Sequence, residues 1–355
     1  KMSEVSVVNN ENLLIESSLS QEELAFALGY VCYERNYIYL FKKQYGLEKF
    51  PLFYIDRFLG WEYSDSVEPL VPLSNGFLEL LSKHVKESGE TPLNEFEGKL
   101  EELFSLGHKV SIPMTVEHVD GTSYVTSVLL DGFDDKGIIY FTKTNETWNK
   151  ICSPMDLNEF KGRLNPIDGM IQFEIIKYSE KISSLAKLSD RELANEIFSN
   201  LYGISNESDK FYQHNGTELK TTISGLTEYV ESLSKDRAQI LDKNGVPKHF
   251  QFRMHKHIDN KIRPLINFIH YVLNSEELSC LMKNSLREDA TFLNKEIEIH
   301  LNNVFKWASL IVSTRKDDYL DSYVDEIKSL ERVMTSYLTM FRRVVVSIME
   351  TNSNG

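Results

Sequence analysis

The 355-residue chain is predicted to have an α+β fold, with a small antiparallel sheet in residues 1–180 and an all-helical part in residues 181–355. Two observations support this prediction. Between residues 109 and 142, three short segments rich in β-branched and apolar residues follow one another with short connections. After Lys177 no such segment occurs, and apolar residues recur instead at spacings of three and four, as on one face of a helix.

Helical patterns dominate the chain before the strand segments. Ser20-Gln-Glu-Glu23 is a capping box that opens an apolar-rich segment, which extends from Leu24 to Tyr45 and ends at Gly46. Gly29 interrupts this segment, so the pattern fits one helix or two. Two more helices are predicted before the strands, from Phe77 to Glu87 and from Asn94 to about Leu106.

The predicted sheet is built from consecutive strands. Lys109–Val116 alternates between apolar and polar residues, Ser123–Leu130 is rich in β-branched residues, and Gly137–Thr142 follows a turn. Because their connections are short, we expect these three segments to be antiparallel neighbours. A short helix at Met155–Phe160 and a strand at Met170–Ile176 complete this part of the chain.

The second half is predicted to contain helices only, over residues 190–201, 217–238, 250–274, 276–313 and 317–349. The last two are long and separated by a short break, which favours an antiparallel helical hairpin. Its buried seam is predicted to include Leu301, Val304, Trp307, Leu330 and Leu338. If this seam were exposed, a partner protein or a second copy in a homodimer would be expected to cover it.

Composition and charge exclude several classes of protein. The net charge is −14, and residues 1–180 carry most of it, with 16 Lys and Arg against 29 Asp and Glu. We therefore expect no nucleic-acid partner, whereas an acidic surface could attract a cationic small molecule or serve only solubility. No apolar run is long enough to span a membrane, and no secretory signal is recognisable. Three scattered cysteines argue against a disulfide framework and favour a cytoplasmic protein.

Common cofactor and metal motifs are absent from the sequence. There is no glycine-rich phosphate loop, CxxC pair, HExxH or GxSxG motif. His255 and His257 are two residues apart in a predicted helix and would point to different sides of it, so we predict no metal site.

Cys32 is the candidate nucleophile. If Gly29 breaks the first helix, Cys32 lies near a helix N-terminus, where the helix dipole lowers the pKa of a thiol and favours the thiolate. If the helix is continuous, Cys32 is a buried apolar side chain.

A second candidate surface is the basic stretch at residues 248–263. Its cations could contact a phosphate or the acidic face of a carrier protein, or they could form an ordinary solvated helix face. They are Lys248, Arg253, Lys256, Lys261 and Arg263.

Two longer segments carry a resemblance to a known family. The first is Gly107-His-Lys-Val-Ser-Ile-Pro-Met-Thr-Val116, and the second extends from Tyr124 through Val128-Leu-Leu-Asp-Gly-Phe133 to Thr142. Together with Cys32 and the helix that ends at Gly46, they resemble the core of the butirosin-biosynthesis acyltransferase-like family. The resemblance implies a papain-like, bacteriocin-peptidase-like cysteine fold in the first half and a helical second half.

The chain departs from this family at the catalytic positions. The family's histidine would fall on Thr126 or its neighbours, and the aspartate that orients it would fall at Lys143–Asn145. No histidine or aspartate stands there, so the triad is degenerate. Three alternatives remain open: His118 replaces the missing base, with Asn145 as a weak orienting group; Cys32 works without a histidine; or the site is inactive.

The resemblance also implies a function. Such a protein transfers an acyl or aminoacyl group from a carrier-protein thioester to an amine during antibiotic biosynthesis, with Cys32 as the covalent intermediate carrier. It needs no cofactor of its own, because the phosphopantetheine belongs to the acyl or peptidyl carrier protein. The acceptor would be an amine-bearing or cationic small molecule. The alternative is a pseudoenzyme on the same fold that acts as a binding or scaffold protein.

Overall fold

The computed structural model describes residues 32–46, 49–52, 61–63, 70–72, 84–117, 123–142, 154–201, 213–214, 217–218, 224–235, 249–314, 316 and 318–350. The chain divides into two compact units that are not consecutive in sequence. The first unit comprises residues 1–48 and 80–186, and the second comprises residues 49–79 and 187–355. The fold is α+β, with a six-stranded antiparallel sheet in the first unit and long helices in the second.

The elements follow in chain order. The α-helices are α1 (Cys32–Tyr45), α2 (Phe96–Ser105), α3 (Leu157–Gly162), α4 (Glu180–Leu185), α5 (Asp190–Asn195), α6 (Ser224–Lys235), α7 (His249–Asn274), α8 (Glu276–Ser279), α9 (Asn284–Thr314) and α10 (Leu320–Glu350). The strands are β1 (Trp61–Tyr63), β2 (Leu70–Pro72), β3 (Lys86–Pro92), β4 (Lys109–Glu117), β5 (Ser123–Phe133), β6 (Ile138–Thr142), β7 (Met155–Asp156), β8 (Met170–Ile176), β9 (Gln213–His214) and β10 (Thr217–Glu218).

The large sheet has the strand order β3-β8-β4-β5-β6-β7, and all its pairings are antiparallel. The predicted antiparallel arrangement of β4, β5 and β6 is confirmed. In this register Met114 lies opposite Thr126, and Leu130 lies opposite Phe141. A bulge between Leu130 and Gly132 shifts the register of β5 against β6.

One face of the sheet forms the core of the first unit. Apolar residues at alternate positions of β4, such as Val110 and Ile112, lie on this face and pack with α2 and α3. Phe160 of α3 lies between Phe96 of α2 and Phe141 of β6, with ring centroids 6.4 and 5.8 Å away. Successive residues of β4 alternate between faces, so Ser111, Pro113 and Thr115 lie on the opposite side of the sheet.

The edge strand β3 corrects the sequence prediction. The helix predicted over 77–87 is wrong at its end, because Lys86 and Glu87 belong to β3 and pair with β8. Gly89 explains why a strand can form here. A Cβ at this position would overlap the ring of Phe173 in the neighbouring strand, so the close approach of β3 requires glycine.

The second unit is built on a helical hairpin. Three side-chain contacts join α9 to α10. The residues of α9 in these contacts rise in number from 289 to 300, while their partners in α10 fall from 343 to 326. This ordering is that of an antiparallel pair and confirms the predicted hairpin. The contacts are Asp289 with Arg343 at 3.5 Å, Asn294 with Tyr337 at 2.8 Å, and His300 with Glu326 at 2.5 Å.

The predicted seam of the hairpin is confirmed except at its tip. Leu301, Val304, Leu330 and Leu338 are buried. Trp307 is only partly buried, and it stacks on Tyr319 beside the connection, with ring centroids 5.9 Å apart.

The helix predicted over 276–313 is not continuous. Ser275 caps the single turn α8 by accepting a hydrogen bond from Leu278 N–H, and the chain then turns before α9 begins at Asn284. The Ser275 cap therefore separates α8 from α7. Because α8 ends at Ser279, α9 is a shorter helix than the predicted helix. None of the described helices is both long and apolar enough to cross a membrane.

Candidate functional site

The helix that starts at the candidate nucleophile lies on the sheet. Helix α1 packs against β5, and its buried residues include Tyr37 and Phe41. Asn36 donates from Nδ2 to the Ser111 hydroxyl of β4 at 3.0 Å, and both side chains are buried. The Tyr37 hydroxyl donates to the Glu174 carboxylate of β8. Helix α1 therefore covers the side of the sheet opposite the main core.

The last turn of α1 is held at the end of β8. The Tyr45 hydroxyl accepts a hydrogen bond from Ser179 N–H at 2.8 Å, and its ring lies 5.1 Å from that of Tyr178. Burial raises the pKa of the Tyr45 hydroxyl; the hydrogen bond from Ser179 opposes this rise, and the charges of Tyr178 and Glu180 add to it. Gly46, with φ of 63°, ends the helix in the left-handed conformation that favours glycine.

These contacts give the direction of the helix. Tyr37 reaches Glu174 and Tyr45 reaches Ser179, so α1 runs along β8 in the same direction and against β4. Cys32 is one helical turn before Asn36, about 6 Å along the axis. Because Asn36 lies over Ser111, the Cys32 backbone lies toward Pro113, about two strand residues further along β4.

The part of the sheet near Pro113 is only partly covered by described residues. Pro113 pairs with Ser127, and Thr115 pairs with Val125. Pro113 is exposed, Val125 is 56% exposed, and the other two are partly exposed. Helix α1 buries one end of this sheet face, whereas the end toward its Cys32 turn remains open among the residues that the structure describes.

The sequence placed the family's histidine position at Thr126 or its neighbours. Thr126 lies opposite Met114, on the face of the main core, and is buried. Its neighbours Val125 and Ser127 lie on the α1 side. The described residues on that side near Pro113 include no imidazole. His108 immediately precedes β4, on the side of Pro113 that is away from the Cys32 turn of α1.

The structure describes some of the predicted site residues and not others. His118, Asn145 and Lys248 lie outside the described residues. The structure gives the backbone of Cys32, which opens the described part of α1, but not its side chain, and the same applies to Arg253 and Lys256 in α7. The proposed catalytic and carrier-binding roles of these residues stay predictions.

The two described cations of the basic stretch lie within the helical unit. Lys261 is buried, with 6% of its surface exposed. Arg263 pairs with Asp259 one turn earlier at 2.9 Å and with Glu298 of α9 at 3.7 Å, and it donates to Asn302 at 2.9 Å. Arg263 therefore joins α7 to α9.

A polar cluster in the second unit was missed by sequence reasoning. The Asp190 carboxylate accepts from the Tyr271 hydroxyl at 2.7 Å and from the Ser275 hydroxyl at 2.5 Å, and it pairs with Lys49 at 3.1 Å. Burial acts to raise the pKa of Asp190, but the hydrogen bonds from Ser275, Tyr271 and Lys49 outweigh it, so the pKa lies below its usual value. Burial, and then the Asp190 carboxylate, raise the pKa of Tyr271.

The cluster joins Lys49, the start of α5 and the α7–α8 junction. Its polar groups bond to one another, so the cluster is structural rather than catalytic. Ser189 caps α5 in a capping box with Glu192, which fixes Asp190 at the first helical residue. Ser275, which caps α8, donates to the same aspartate. The Ser189–Glu192 capping box follows a local sequence pattern, whereas no local pattern indicates the pairing of residues more than 80 positions apart.

Comparison with known proteins leaves the family open. Neither the models of protein families nor the curated proteins give a significant match to this chain. Among the described residues, no group of three or more His, Cys, Asp or Glu side chains has a metal-binding arrangement.

Proposed function

We propose that this protein is a cysteine-dependent acyltransferase of natural-product biosynthesis. It takes an acyl or aminoacyl group from a carrier-protein thioester and transfers it to an amine.

The observation that supports this proposal is the position of α1. The helix that carries Cys32 packs on one face of an antiparallel sheet, and its Cys32 turn lies toward the exposed Pro113 and Val125. This is the arrangement expected of a papain-like fold with its nucleophile at an accessible position.

The proposed reaction has two steps. The Cys32 thiolate attacks the thioester carbonyl, a new C–S bond forms to Cys32, and the carrier's phosphopantetheine leaves as a thiolate. The acceptor amine then attacks the Cys32 thioester, the C–N bond forms, the Cys32 thiolate leaves, and the amine releases a proton to solvent or to a base. Because a thiolate leaves readily in both steps, less base assistance is needed than for attack on an amide.

The alternative is a binding or scaffold protein on the same fold. It is favoured by one observation: on the α1 side of the sheet near Pro113, the described positions carry Ser127, Val125 and Thr115 where a catalytic imidazole would be expected. A site without a base can still bind a carrier or an acceptor. The two functions differ in whether an acyl group becomes attached to Cys32.

The test is intact mass after incubation with aminoacyl-loaded carrier protein. Cys280 is exposed, so it must be removed to prevent adventitious acylation. The Cys280→Ser protein is expected to gain the mass of one acyl group, and the Cys32→Ala/Cys280→Ser protein is expected to gain none. Adding an amine should release the acyl group as an amide. Equal acylation of both variants would exclude Cys32 as the nucleophile, and carrier binding without acylation would favour the scaffold.

A further inference from the structure

A cleft of about 360 Å³ lies in the helical unit, between α6 and α10. Its volume is at the lower end of the range found for small-molecule sites. Helix α6 contributes Val230, Glu231 and Lys235, and helix α10 contributes Lys328, Glu331 and Arg332.

The wall formed by α10 carries two cations and one carboxylate, a net positive charge. Lys328 and Arg332 are one helical turn apart and lie on the same side of α10. The Arg332 guanidinium donates to two neutral acceptors, the Lys328 carbonyl oxygen and the Ser329 hydroxyl, both at 3.3 Å. Among the described residues no carboxylate pairs with it. Within the described part of the chain, the one carboxylate that pairs with Lys328 is the exposed Asp325, at 4.0 Å.

The two carboxylates of the cleft have hydrogen-bond or ion-pair partners, although the partner of Glu331 is a neutral hydroxyl that leaves its negative charge in place. Glu331 accepts from the Thr227 hydroxyl at 2.7 Å, a contact that joins α10 to α6 beside the cleft. Glu231 pairs with Lys235 on its own helix at 3.5 Å. Val230 is almost completely buried, so the mostly apolar lining of the cleft comes mainly from the hydrocarbon parts of its other side chains. The cleft therefore combines an apolar lining with two cations whose charge is weakly paired or unpaired.

We propose that this cleft binds a small organic anion. The carboxylate or phosphate group of the ligand pairs with Arg332 and Lys328, and a short apolar chain lies against the apolar lining of the cleft. Guanidinium groups bind both anions through paired N–H donors, and the hydrogen bonds that already orient Arg332 along α10 reduce the side-chain freedom lost on binding. This site is independent of Cys32 and of the proposed acyl transfer.

The test uses hexanoate, hexyl phosphate and inorganic phosphate as probes in ligand-observed NMR titrations of the full chain. The test variant is Arg332→Gln, and the matched control is Arg343→Gln, which removes another exposed arginine from the same helix away from the cleft. The wild type and the control are expected to bind at least one hexyl probe equally. Loss of one charge-assisted pair should weaken binding to Arg332→Gln about tenfold.

The outcomes separate the parts of the proposal. Preference for hexanoate identifies a carboxylate ligand, and preference for hexyl phosphate identifies a phosphate ligand; either supports the site. Equal binding to the wild type and to Arg332→Gln would overturn it, as would no binding of either hexyl probe up to on the order of 10 mM. Inorganic phosphate binding as tightly as hexyl phosphate would overturn the contact of the hexyl chain with the apolar lining.

Discussion

Each unit buries an asparagine where a helix meets its neighbours, but the two side chains have different partners. Asn36 in α1 donates to the Ser111 hydroxyl of the sheet at 3.0 Å. Asn294 in α9 donates to the carbonyl oxygen of Ile266 in α7 at 3.3 Å and accepts from the Tyr337 hydroxyl of α10 at 2.8 Å. The first hydrogen bond joins a helix to one strand, whereas the second pair joins three helices.

The partners also differ in how freely they can adjust. A serine hydroxyl rotates to find another acceptor or donor, whereas the Tyr337 hydroxyl is fixed at the end of a buried ring and a helical carbonyl is fixed by the backbone. Burial raises the pKa of the Tyr337 hydroxyl, which keeps it protonated as a donor. We infer that Asn294 is a rigid polar junction and that Asn36 is a more adaptable contact.

The largest expected effect is at the rigid junction. Asn294→Ala leaves the buried Tyr337 hydroxyl without its acceptor and leaves a small cavity, so the free energy of unfolding should fall by about 3 kcal/mol. Urea denaturation measures it. Tyr337→Phe, which removes only the donor, should cost less, about 1 kcal/mol. If Asn294→Ala costs no more than Tyr337→Phe, the junction is not rigid and the contrast with Asn36 fails.

The corresponding change in the first unit should be milder. Asn36→Ala should lower the free energy of unfolding by about 2 kcal/mol, because a buried amide is lost but the Ser111 hydroxyl can rotate. In Asn36→Ala/Ser111→Ala the hydroxyl is removed as well, so the double variant should be no less stable than Asn36→Ala. The cycle is completed with Ser111→Ala. Additive losses would show that the two side chains do not interact.

Local patterns predicted much of the fold, and the exceptions have physical reasons. β4 and β5 alternate because one face is buried against α2 and α3, and α9 and α10 carry long apolar seams. β3 was missed because its sequence, Lys-Glu-Ser-Gly-Glu-Thr-Pro, is polar. β3 is an edge strand, and Thr91 is its only buried residue. Its strand structure comes from pairing with β8, a tertiary contact that no local pattern records.

The candidate site was predictable only in outline. Cys32 could be identified from its position before a helix that ends at Gly46, and the structure packs that helix on the sheet. Two partners of the helix are distant in sequence. Ser111 lies 75 residues from Asn36, and Glu174 lies 137 residues from Tyr37. A polar residue at position 36, within a run of buried residues, is the one local signal that could have indicated such a contact.

A third prediction concerns Asp190, whose charged carboxylate joins Tyr271, Ser275 and Lys49. Its lowered pKa means that the folded protein binds a proton at this carboxylate less readily than the unfolded chain does. Its stabilising effect is therefore complete above the unfolded pKa of about 4 and is lost as the pH falls through the lower, folded value. Asp190→Asn should cost about 1 kcal/mol at neutral pH and progressively less in acid.

Urea denaturation at several pH values measures this dependence. Asp318→Asn is the matched control, because Asp318 is an exposed aspartate of the same unit, and its effect should be small at every pH. A loss for Asp190→Asn that stays constant from neutral pH to below pH 4 would assign its effect to packing rather than to charge.

The smallest effect on the free energy of unfolding is expected at the end of the α9–α10 hairpin that lies away from its connection. Asp289 and Arg343 are 3.5 Å apart, but both side chains are more than half exposed. Water and salt screen such a pair, and ordering two long side chains offsets most of the attraction, so Arg343→Gln should change the free energy of unfolding by less than about 0.5 kcal/mol. A double-mutant cycle with Asp289→Asn, measured at low and high salt, gives the coupling. A coupling as large as that between Asn294 and Tyr337 would mean that exposed ion pairs, rather than buried amides, hold α9 against α10.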